Sequence, residues 1–147
     1  MKVQGAHPAW KAFYRRHRIA ITDLISKIED ADIDNPEHHE HLRSYSDEAI
    51  AMNFDHFEST SVTDLLLDHP SITSVYLTRG FRHPFWKNLW QPIQRYCDQH
   101  DVRHKTLLTP SDYSRFQVGI YNRRHPEAPM TREDFILARW QEQWHDQ

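Results

Sequence analysis

The chain has 147 residues, a formal net charge of -3, 38% apolar residues and a mean hydropathy of -0.84. These values allow one domain, 1–147, with a modest core, and they exclude a general attraction to nucleic acid, so any such binding needs a local patch. The single Cys97 excludes an intrachain disulfide, and with no apolar run of membrane-span length and no visible signal peptide the expectation is a cytoplasmic protein with no membrane partner.

Pro8 suits the first position of a helix, and Trp10, Phe13, Tyr14 and His17 follow at helical spacing. Lys11, Arg15, Arg16 and Arg18 decorate its other face, as a solvated face would. Ile19-Ala20-Ile21 reads as an extended link. Thr22 or Asp23 then caps an expected second helix with Leu24, Ile25 and Ile28 on its buried side. Residues 29–47 read as irregular, punctuated by Asp30, Asp32, Asp34 and Asn35-Pro36. Within them His38, His39 and His41 have spacings that could share a metal with Glu37 or Glu40. No cysteine and no confirming histidine pair accompanies them, so the expectation is an exposed polar loop with no metal and no cofactor.

From Tyr45 to Phe57 the period is unclear, although Ile50, Met52, Phe54 and Phe57 are core candidates. Ser61-Val62-Thr63-Asp64 resembles a capping box, with Val62, Leu65 and Leu66 as the apolar stripe and Pro70 as the stop. Ser71 to Thr78 is β-branched, apolar and bounded by Pro70 and Gly80, which predicts a strand. Arg79-Gly80-Phe81-Arg82-His83 is its carboxyl-end loop. Pro84 opens a helix whose wide apolar face carries Phe85, Trp86, Leu89, Trp90, Ile93, Tyr96 and Cys97. Pro92 is expected to kink or divide it. Lys105 to Leu108 is the next predicted strand. Asn122-Arg123-Arg124-His125-Pro126 reads as a basic loop, and Thr131 caps a last helix with Asp134 in the box position.

Two strand–loop–helix units in succession argue for a parallel α/β sheet. Between them and the last helix lies Thr109-Pro110-Ser111-Asp112-Tyr113-Ser114-Arg115. Proline ends the strand, Ser111, Asp112 and Ser114 can cap the next helix, and Arg115 adds a fixed charge. Loops at the carboxyl ends of parallel strands are where open α/β sheets bind ligands. Arg79, Arg82 and His83 would then share one edge with Thr109, Ser111, Ser114 and Arg115, with Arg123 and Arg124 as further candidates. Such a group suits a phosphate. The alternatives are an ordinary capped turn and arginines paired with the 21 carboxylates.

Pro110-Ser111-Asp112-Tyr113-Ser114-Arg115 resembles the second signature motif, Pro-Ser-x-x-Ser/Ala-Arg, of the uracil and mismatch-specific DNA glycosylase superfamily. Ile19 to Ile25 is similar to the Gly-Ile-Gly-Leu-Thr-Asp-Ile segment of many bacterial members. Leu65 to Pro70 followed by Ile72 to Thr78 resembles the helix and strand that come next there. The resemblance implies a three-layer α/β/α sandwich with a small, mainly parallel sheet, and excision of uracil or a mismatched base from DNA. It puts Thr109 where an Asn or His often faces the flipped base, Ser111 and Ser114 where they contact DNA phosphate or shape the loop, and Arg115 where the loop meets the duplex. The chain departs from the family at the Gly-x-x-Pro-Gly-like loop that positions the attacking water, which has no counterpart here. The expectation is therefore either an N-terminally shortened homologue or a sheet whose missing first strand is replaced by another chain or by the amino terminus, with His83, His7 or Asp23 as candidate substitute bases. Two further readings stay open: a non-catalytic module that binds DNA or a nucleotide phosphate at the same edge, and a protein that keeps only the fold, binds a partner and self-associates.

Overall fold

In a computed structural model the described residues are 8–43, 46–78 and 83–144. Their fold is mixed α/β, with seven helices and four short strands divided between two two-stranded sheets. Arg79, Gly80, Phe81, Arg82 and His7 lie outside the described residues, so their expected roles have no structural counterpart here.

The first helix, α1 (Pro8–His17), starts at proline as the sequence predicts. The second predicted helix is instead a strand, β1 (Ile25–Ile28), antiparallel to β2 (Phe57–Ser59). The apolar spacing misleads because Ile25 and Ile28 are three residues apart, a helical interval. In a regular strand they would face opposite sides. A shift in register between Ile25 and Lys27 inserts a residue and lets both be half-buried. The Ser26 hydroxyl donates to the Glu58 carbonyl at 3.0 Å across this irregularity. Where β1 ends, the Asp55 N–H donates to the Asp30 carboxylate at 2.7 Å, which holds that carboxyl below its ordinary range.

The segment between these strands is also more ordered than its composition suggests. Asn35-Pro36, read as loop punctuation, starts α2 (Pro36–Arg43), with the Asn35 side chain accepting from Glu37 N–H at 2.9 Å. Ser46 caps α3 (Asp47–Asn53) by accepting from Ala49 N–H. The Ser61 cap precedes α4 (Val62–Asp68), and its hydroxyl donates to Asp64 at 2.6 Å.

The parallel unit has the expected form. β3 (Ser74–Leu77) and β4 (Arg103–Thr106) are parallel neighbours, with α5 (Pro84–Gln99) as the crossover. The regular ladder ends earlier than Leu108, although Leu107 N–H still donates to Leu77 C=O at 2.8 Å. Pro92 does not divide α5, which continues through it. Proline there removes one hydrogen bond, and its exposed position keeps the ring away from the buried face. That face supplies Trp90, Ile93 and Cys97 to a core shared with Val62, Leu66 and Leu77, with Leu24 packed against it. Two helices close the chain, α6 (Asp112–Arg124) and α7 (Arg132–Trp144). Among the described residues no helix is long and apolar enough to cross a membrane.

Candidate functional site

The carboxyl ends of β3 and β4 lie in register, Leu77 opposite Thr106, so the loops that leave them start from one edge. The segment after β4 is tied down from α7: the Trp140 indole N–H donates to the Leu108 carbonyl at 2.5 Å. Leu107 is buried and Thr109 half-buried. Pro110 ends the extended run and Ser111 adopts extended backbone angles as the cap of α6.

The two serines of the motif are committed to this cap. Ser111 accepts from Ser114 N–H at 3.3 Å, and Ser114 accepts from Ser111 N–H at 2.9 Å, a reciprocal capping box. The Ser114 hydroxyl also donates to the Ser111 carbonyl at 2.7 Å and is fully buried, at 0% exposure. Ser114 therefore shapes the loop from inside and has no face for a phosphate. The Ser111 hydroxyl is exposed and donates to the Thr109 carbonyl at 3.2 Å. Arg115 lies 3.8 Å from Asp112, with its side chain 72% exposed. A contact so long and so exposed is worth at most about 1 kcal/mol, and leaves the guanidinium free to exchange partners.

His83 caps α5, its Nδ1 accepting from Phe85 N–H at 3.3 Å. In that tautomer Nε2 carries the proton and can donate. Arg123 and Arg124 do not join the edge. They lie in the last turn of α6, about 18 Å along the axis from Ser111. Asn122 is likewise a structural residue rather than part of a basic loop, bonding both N–H and C=O of Met130 at 2.8 and 2.9 Å. Thr109, Ser111 and Arg115 thus lie together in the turn from β4 into α6, and His83 lies at the start of α5, which follows β3 in the chain.

The histidine cluster is used for local folding. His38 Nδ1 accepts from Asp32 N–H at 2.9 Å, and a His39 ring nitrogen contacts the Ile33 carbonyl. Among the described residues no group of three His, Cys, Asp or Glu is arranged to hold a metal.

Sequence reasoning did not anticipate a cleft of about 370 Å³ bounded by β1 and β3. Thr22, Asp23, Tyr76 and Thr78 line it, above Trp86 and Trp90. Tyr76 also stacks on Trp144, with ring centroids 4.6 Å apart and planes 10° from parallel. The sequence carries no local signal for it, because the three-residue interval between Ile25 and Ile28 reads as helical. Comparison of the chain with protein-family models, curated proteins and solved structures returns no match.

Proposed function

We propose that this chain is a DNA glycosylase-like protein that binds nucleic-acid phosphate at the carboxyl edge of β3 and β4. In this reading the β3–α5–β4 unit belongs to a three-layer α/β/α sandwich related to the uracil-DNA glycosylases. The observation that carries the proposal is the common edge from which the loops to Arg115 and to His83 depart. Arg115 supplies a mobile charge, Ser111 and Thr109 supply hydroxyls, and His83 supplies an N–H donor.

Binding rather than excision is the activity assigned. Hydrolysis of an N-glycosidic bond needs a group that positions water and stabilises an oxocarbenium-like sugar. The buried Ser114 and the cap-bound Ser111 cannot act as that group. Asp23 is the one carboxylate on the cleft walls among the described residues. Titration of labelled single- and double-stranded oligonucleotides, with and without uracil, tests the reading. Salt-dependent binding with no release of uracil is the expected result. Uracil release would overturn the non-catalytic assignment and make Asp23→Asn the first variant to assay. No binding at low salt would remove the nucleic-acid reading.

A further inference from the structure

The cleft between β1 and β3 has the chemistry of a vacant strand position. Arg103 N–H donates to Thr73 C=O at 3.0 Å, and Leu107 N–H to Leu77 C=O at 2.8 Å. In a parallel ladder alternate residues turn their backbone groups to opposite edges. Thr73, Val75 and Leu77 therefore serve β4, and the N–H and C=O groups of Ser74, Tyr76 and Thr78 face the other edge. No strand among the described residues pairs there. Residues 75–78 line one wall of the cleft and residues 24–28 line another, while β1 is itself paired on one side only, to β2. Trp86, Trp90 and Ile93 of α5 supply the apolar floor.

We infer that this cleft receives an extended peptide segment of a partner protein, which adds to β3 as a strand and joins the two small sheets into one. The segment continues a ladder that β3 and β4 already form. The edge of β3 is about 13 Å long and repeats its donors and acceptors every two residues, about 6.6 Å apart. A small molecule cannot match that repeat, whereas an extended backbone does. Apolar side chains at alternate positions of the segment would meet the tryptophan floor. The β4 edge of a second copy is poorly suited, because it reads Arg103-His104-Lys105-Thr106, whose charges do not fit an apolar floor. The inference does not depend on the nucleic-acid reading.

The test uses the full chain and a capped synthetic peptide, Lys-Val-Thr-Val-Thr-Val-Lys, with amide hydrogen exchange read residue by residue. With peptide at ten times its Kd, exchange at Tyr76 and Thr78 should slow about tenfold. Val75 and Leu77, whose amides already serve the ladder to β4, should change little. The same peptide methylated at every backbone nitrogen keeps the side chains and loses the donors, and it should protect neither residue. Unchanged exchange at Tyr76 and Thr78 would overturn the proposal, as would equal protection by the N-methylated peptide. Protection that appears on concentrating the chain without peptide would assign the cleft to a second copy and overturn the partner-peptide claim.

Discussion

Ser114 shows how one residue can carry the geometry of a whole loop. Its hydroxyl is fully buried and makes both a donor and an acceptor contact with the backbone of Ser111. Ser114→Ala leaves the Ser111 N–H and C=O without these partners and should cost about 1–2 kcal/mol in urea unfolding. Ser111→Ala should cost about 1 kcal/mol, and the double variant less than the sum, because both act in one box. The capping chemistry of these serines was legible in the sequence. What was not legible is that the cap buries Ser114 completely while leaving Ser111 exposed, since residue types identify donors without saying which groups they meet. Cys97, at 0% exposure, makes a second prediction. Burial, with the nearby Asp98 charge adding to it, raises its thiol pKa above the ordinary value. The folded state holds the proton more tightly, so this contribution is complete below the ordinary thiol pKa. It is lost as pH rises from that value through the raised one. Unfolding free energy should therefore fall over that alkaline range, and Cys97→Ala should flatten that part of the profile. A slope unchanged in the variant would contradict the assignment.

At the scale of elements, the parallel unit was readable because its signals agree. The stretch of residues 71–78 that contains β3 is rich in β-branched residues and follows Pro70, and α5 opens at Pro84 with a continuous apolar face. β1 was not readable, because an irregularity in its pairing with β2 gives a strand the spacing of a helix. Such a feature depends on a partner 32 residues away and leaves no local mark. The cleft against β1 was hidden for the same reason. Pro92 went the other way: its local rule predicts a break that the packing of Trp90 and Ile93 overrides. Pro92→Ala restores the N–H that can pair with the Asn88 carbonyl. It should stabilise the fold by about 1–2 kcal/mol, part of the interior-proline penalty being offset by the freer unfolded chain. A loss of stability in thermal unfolding would mean that the core requires a bend at this position.

For the molecule as a whole, two small sheets and a thin core leave much apolar surface outside. Ile21, Phe116 and Leu137 are 69%, 61% and 57% exposed. Light scattering should show a mass that rises above 17.7 kDa with concentration, and a constant monomer would contradict this expectation. The same scale decides the reading of charge. With a net charge of -3, nucleic acid can be held only where donors converge, and in the proposed reading that place is the turn after β4, where Ser111 caps α6 and Arg115 lies in its first turn. The basic run from Lys11 to Arg18, along α1 and just past its end, offers dispersed and screened charge instead. The direct comparison is DNA titration of Arg115→Ala and Arg15→Ala at several salt concentrations. The account predicts that Arg115→Ala weakens binding to all sequences alike and lowers the salt slope by about one unit, with a smaller effect for Arg15→Ala. Equal losses, or a larger loss for Arg15→Ala, would contradict it and reduce the loop at Ser111 to a structural turn.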